Sequence, residues 1–245
     1  MGMLSNFNAG LPHWLQKTCL VRTPGRDDEA ACMPECEVTT VSTSAWDRYM
    51  VWIDGVGAWQ LCVGQQFVIG GPTLDHASAD ICLLANLSRK HAMLERIGED
   101  WFIQPYHLTV VSGRTAVERS LLKTGDEIRL GDRVRLGFRI PSVLSGSAVI
   151  DFESHHRPVR TVNGILLMTE TCLLGPRRDH HVCCPDWKEM VVLYQQDGQL
   201  RCRSRMALRV DEQRVRDSAT LHDGAIVTGD DFRFRIERMK HLNGT

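Results

Sequence analysis

The chain has 245 residues, 43% hydrophobic and 24% charged, enough for one large domain or two small ones with buried cores. Lysine and arginine total 29 against 30 for aspartate and glutamate, a net charge of −1 that argues against a dedicated nucleic-acid binder and a polybasic membrane anchor. No apolar run reaches the ~18–20 residues of a membrane span, the first residues lack a basic patch followed by an apolar core, and nine cysteines form no dense framework.

A cytoplasmic protein with free thiols is therefore expected, with no membrane and no nucleic acid among its partners. Residues 1–45 carry Pro12, Pro24, Gly25 and Pro34, the acidic run Asp27-Asp28-Glu29 and a polar stretch from Thr39 to Ser44. This composition predicts a flexible N-terminal tail with room for one short helix at 11–21. From Tyr49 the pattern changes. Tyr49, Val51 and Ile53 alternate with Met50, Trp52 and Asp54, and Asp54-Gly55 supplies a turn. Strand-like runs follow at 59–63, 67–69, 81–84, 92–96 and 101–104, then at 134–140, 148–152 and 232–236. Period-two alternation with one apolar face predicts half-buried antiparallel strands. Many short strands and no long amphipathic helix predict an all-β sandwich or barrel.

The chain also repeats itself. Phe67-Val68-Ile69-Gly70 and the Thr124-Gly125-Asp126 turn in the first half answer to Cys172-Leu173-Leu174-Gly175 and His222-Asp223-Gly224 in the second. Loops absorb the small difference in spacing at little cost. The expected organisation is a tail at 1–45, a first β domain at 46–141, a strand and linker at 142–158, and a second β domain at 159–240.

One set of residues resembles a known family. Phe67-Val68-Ile69-Gly70, then Leu87-Ser88-Arg89-Lys90-His91-Ala92, Trp101 and Gly125-Asp126-Glu127-Ile128-Arg129-Leu130-Gly131 resemble the forkhead-associated (FHA) domain. The S-R-x-H segment followed by G-D-x-I-x-L-G is the specific pair. The resemblance covers about residues 48–140, and 160–238 only through the repeat. It implies two tandem β-sandwiches of the SMAD/FHA type, the second degenerate, serving protein–protein interaction in Ser/Thr phosphorylation signalling. The expected partner is a phosphorylated or unphosphorylated protein, with a Ser/Thr kinase or its substrate as candidates. No cofactor is implied.

Phosphate dianions favour arginine, lysine and short hydroxyl donors. The resemblance implies Ser88 and Arg89 as phosphothreonine ligands, Lys90 as an extra contact, and His91 and Gly70 as braces of the loop. The family's strand-end G-R is replaced by Gly70-Gly71, and its S-x-N-G-T by Pro105-Tyr106-His107-Leu108-Thr109. A charged hydrogen bond contributes roughly 1.5–3 kcal/mol, so two losses lower affinity about 10²–10⁴-fold. His107 and Arg114 are the candidate substitutes. In the second half Cys184-Pro185-Asp186-Trp187-Lys188 stands where the loop belongs, with no Ser or His.

Other readings compete. A phospho-independent scaffold would use the sheet faces. His180-His181-Val182-Cys183-Cys184 suggests a metal module built on His181 and Cys183, weighed against a strand with buried thiols; no metal site is expected. The stripe Arg201, Arg203, Arg205 reads as a solvated strand face. There is no G-x-S-x-G, P-loop or H-E-x-x-H, and no enzyme is expected.

Overall fold

The computed structural model describes residues 47–72 and 79–239; the expected tail at 1–45 lies outside the described residues. The regular secondary structure of the described residues is almost entirely strand. In order come β1 (Arg48–Ile53), β2 (Gly57–Val63), β3 (Gln66–Gly70), β4 (Ile81–Cys82), β5 (Ala92–Ile97), β6 (Asp100–Pro105), β7 (Thr109–Val111), β8 (Arg114–Thr115), β9 (Ser120–Leu122), β10 (Asp126–Leu130) and β11 (Val134–Arg139). After a 3-10 turn at Val143–Ser145 come β12 (Ala148–Phe152), β13 (Gly164–Met168), β14 (Thr171–Gly175), β15 (Val182–Cys183), β16 (Val191–Gln196) and β17 (Gln199–Ser204). The last are β18 (Leu208–Val210), β19 (Gln213–Val215), β20 (Ser218–Thr220), β21 (Ile226–Thr228) and β22 (Arg233–Arg238). No helix among the described residues is long and apolar enough to cross a membrane.

Two five-stranded sheets share one strand order, β4-β3-β5-β6-β9 and β15-β14-β16-β17-β20. Their registers match as well: Gly70 lies beside Cys82 in a parallel pair, and Gly175 beside Cys183. The two Gly-containing turns are also alike. Gly125 N–H donates to Phe138 O and Gly224 N–H to Ile236 O.

The third sheet has twelve strands and faces both small ones. Its half β13-β12-β11-β10-β7-β8 covers the first small sheet, around a core of Phe67, Trp101, Phe138, Ile150 and Ile165. Its half β2-β1-β22-β21-β18-β19 covers the second, around Tyr49, Trp59, Leu193, Phe234 and Ile236. The N-terminal hairpin β1–β2 therefore closes the second sandwich, and the middle hairpin β12–β13 closes the first. The ranges 46–141 and 159–240 cross between the two cores, and 142–158 supplies a core strand as well as a connection.

Where the halves meet, β2 and β13 pair in parallel. Leu61, Val63, Leu166 and Met168 point into the second core, while Cys62, Ile165 and Leu167 point into the first. Alternate residues thus serve cores on opposite faces of one sheet, which explains the unbroken apolar run Ile165-Leu166-Leu167-Met168. The parallel pairing has a second effect. β3 and β14 both run back from the same edge, so the loops after Gly70 and after Gly175 open at the same end of the molecule.

Candidate functional site

Gly70 and Gly71 form the seat of the loop 83–91. A Cβ on Gly70 would collide with Arg89 O and stand 2.8 Å from Ser88 O. A Cβ on Gly71 would collide with Leu87 O and stand 3.1 Å from Ala85 O. Gly71 N–H donates to Ser88 O at 3.0 Å, and Leu83 N–H to Gly70 O at 2.9 Å. The loop backbone lies directly on both glycines. The missing arginine of the family pattern is therefore an exclusion: this seat holds no side chain at all.

His91 closes the loop from the other side. It is buried, its N–H donates to Ile69 O at 2.8 Å, and its Nε2–H donates to Leu108 O at 2.9 Å. Its own carbonyl accepts from Tyr106 N–H and His107 N–H, both at 3.0 Å. One residue thus ties 83–91 to 105–109. Its Nδ1 is buried without a partner among the described residues.

The remaining expected residues are placed as follows. Ser88 is half-buried, and Arg89 and Lys90 are exposed at the crown of the loop. His107 is exposed, with its ring 5.5 Å from that of His91, so it stands beside the loop. Thr109 is buried and its Oγ1 donates to His107 O, which shapes the 105–109 turn. Arg114 is not brought to this group. It pairs opposite Val111, at the other end of β7 from Thr109, beside a Ser112-Gly113 turn anchored to Asp126 and Glu127.

No protein-family profile matches the chain, and no curated protein matches it. Among solved structures it is similar to the Rv0020c FHA structure, with 23% identity, 37% of this chain and 90% of that chain covered, and a TM-score of 0.25. It is also similar to the N-terminal FHA domain from EssC, a component of the bacterial Type VII secretion apparatus, with 10% identity, 78% and 92% covered, and a TM-score of 0.22. The first sandwich carries the Ser88-Arg89-Lys90-His91 loop on which the sequence resemblance turns.

The second loop end differs in kind. Cys184 N–H bonds Gly175 O, as Leu83 N–H bonds Gly70 O, so 184–190 answers to 83–91. There Trp187 is buried, with its ring tilted against Phe232 at 4.9 Å and stacked on Phe234 at 6.3 Å. An indole plugs the place where the first sandwich presents Ser88 and Arg89.

His181 is fully buried between the halves. Its Nδ1 accepts from Leu173 N–H at 3.0 Å, so Nε2 carries the proton and donates to Ser145 Oγ at 3.0 Å; that hydroxyl donates to Ser142 O. Burial pushes its pKa down to about 4. Both ring nitrogens are occupied, and Cys183 is exposed and bonds Pro176 O. The pair His181 and Cys183 is not brought together. Nor is Ser145 with His181 a nucleophile–base pair, because the nitrogen facing the hydroxyl holds a proton.

Three residues near the loop escaped the sequence reading: Arg133, His156 and Arg157. The last two lie in the stretch taken as linker. Leu84 N–H bonds Arg157 O at 2.9 Å, and Leu83 bridges Pro158, so this connection runs along the foot of the loop. The sequence signal was the basic cluster His155-His156-Arg157.

Proposed function

We propose that the first sandwich is a non-catalytic interaction module that binds a phosphothreonine-bearing segment of a partner protein, such as a Ser/Thr kinase or its substrate. Ser88 and Arg89 hold the phosphate, Lys90 adds charge, and His107 flanks the site; His91 and Gly70 position the loop. The observation that carries this reading is the seat itself. Backbone contacts to Gly70 and Gly71 and the buried His91 fix a loop whose crown carries the half-buried Ser88 beside the exposed Arg89 and Lys90. Such a crown is preorganised for a dianion, because little ordering is left to be done on binding.

A degenerate phosphothreonine peptide library, titrated beside its unphosphorylated twin, tests it. Phosphate-dependent binding that Ser88→Ala and Arg89→Ala each weaken supports the reading; equal or absent binding of both pools sinks it. A phospho-independent scaffold is the second reading. It is favoured by Trp187, which gives the second sandwich a sealed loop end and leaves only surfaces to recognise a partner.

A further inference from the structure

The second sandwich carries a concentration of arginine that its framework does not require. Between Arg201 and Asp217 stand six arginines, no lysine and three acids, a net charge of +3. Phe102 lies opposite Leu121 as Arg201 lies opposite Thr220, so 102–118 is the equivalent stretch of the first sandwich. That stretch holds one arginine and one acid. The same strand order forms without the charge.

Folding gathers the six on one edge. Arg201 and Arg203 alternate with the buried Leu200 and Cys202, so they lie on the outer face of β17. Arg205 lies in the crossing from β17 to β18, and Arg216 in the crossing from β19 to β20. Arg209 on β18 stands directly opposite Arg214 on β19, on the outer face of the twelve-stranded sheet. The band therefore runs from one face of the sandwich, around its β19–β20 edge, to the other. None of the six makes an ion pair among the described residues. Arg201 bonds Ser218 Oγ at 3.0 Å, and the Arg203 guanidinium sits 5.7 Å from the Tyr194 ring centroid. Asp211 is already engaged, accepting from His222 Nε2–H at 2.6 Å and Ile226 N–H at 2.9 Å. Like charges directly opposite one another destabilise a sheet, as Arg209 and Arg214 do here. Protection of an open edge accounts for Arg214, but Arg201 and Arg203 lie on an inner strand, where no edge needs guarding.

We propose that this arginine band docks an extended acidic segment of a partner protein, rich in aspartate and glutamate. The surface is separate from the loop 83–91 and does not depend on phosphothreonine binding. Arginine presents a planar fork that matches a carboxylate, and arriving carboxylates relieve the repulsion between Arg209 and Arg214. Shape decides among polyanions. Packed sheets lie about 10 Å apart, so the band bends sharply over the edge. Duplex DNA, with a persistence length of about 50 nm, does not follow such a bend. A single nucleic-acid strand bends freely, but it stacks its bases on aromatic rings. No exposed Phe, Tyr or Trp stands among these arginines in the described residues. Tyr194 is half-buried beneath Arg203, and Trp52 lies three strands from β18. An extended polypeptide of about ten residues covers the path, at about 3.3 Å per residue.

The test uses the full chain and a fluorescent peptide of alternating glutamate and serine. Its glutamine–serine twin and a fluorescent oligothymidylate are titrated beside it. Anisotropy should show binding of the glutamate peptide, weakening as salt rises, and none of the twin. Arg209→Gln with Arg214→Gln should weaken that binding roughly tenfold, and Arg201→Gln with Arg203→Gln by a similar factor. The first of these variants should melt no lower than the parent, because an opposed pair of like charges is removed. Arg129→Gln with Arg135→Gln, an opposed pair on the first sandwich, is the charge-matched control and should leave the affinity unchanged. Equal affinity for the two peptides, tighter binding of the oligothymidylate, or an equal loss in the control pair overturns the proposal.

Discussion

Restoring the family's arginine at Gly71 should damage the site rather than repair it. In Gly71→Arg the first side-chain carbon meets Leu87 O and lies 3.1 Å from Ala85 O, so the loop backbone must move. Overpacking of this kind costs about 1–3 kcal/mol. The displaced loop also loses the Gly71 N–H to Ser88 O bond, worth about 1 kcal/mol. The sum, about 2–4 kcal/mol, corresponds to a fall of roughly 5–15 °C in melting temperature for a chain of this size. Gly71→Ala should cost nearly as much, because Cβ is the colliding atom. Differential scanning calorimetry and phosphopeptide anisotropy on both variants check this. A Gly71→Arg protein that melts like the parent and binds phosphopeptide tenfold better would refute the argument that the loop rests on this glycine.

Three further outcomes are expected. His91→Ala should lower stability by about 1.5–3 kcal/mol and weaken phosphopeptide binding, although the buried ring cannot touch a ligand; His91→Gln, which offers a donor toward Leu108 O, should recover part of both in paired melting and binding assays. The His181 pKa, lowered to about 4 against 6.5 unfolded, stabilises the fold above pH 6.5 and loses that contribution as pH falls toward 4. The loss is on the order of 3 kcal/mol. Urea midpoints at pH 7 and pH 4.5 should differ more for the parent than for His181→Asn; equal differences would mean that His181 is not held neutral. A fragment 65–168, which contains β3 to β13, should show dispersed amide signals and cooperative melting, whereas a fragment 46–141 should not, since it lacks the hairpin that completes its core.

The parts of this architecture that were readable from the sequence are local ones. Alternation placed β1, β5, β11 and β22, and the Ser88-Arg89-Lys90-His91 segment announced a loop between strands. Strand pairing was less legible. The hairpins β1–β2 and β12–β13 are both short, apolar and followed by Gly-ended strands, so either pattern satisfies either core. Only the pairing of Val51 with Ile236, and of Phe138 with Ile150, tells them apart. Where Arg114 stands depends in the same way on the register of β7 with β8, which residue types do not encode. Trp187 carried no warning that it would plug the second loop end, since burial of an aromatic is decided by neighbours far along the chain. The basic cluster 155–157 fell within the expected strand and linker at 142–158, and the pairing of β12 with β11 and β13 runs it along the foot of the loop.

Amide chemical-shift mapping tests the central claim most directly. On titrating the isotope-labelled chain with a phosphothreonine peptide, the account predicts shifts concentrated at Ser88, Arg89, Lys90 and His107, absent with the unphosphorylated peptide and much reduced in Arg89→Ala. Shifts confined to the outer faces of the sheets, or to the loop 184–190 beside Trp187, and indifferent to phosphate, would contradict it.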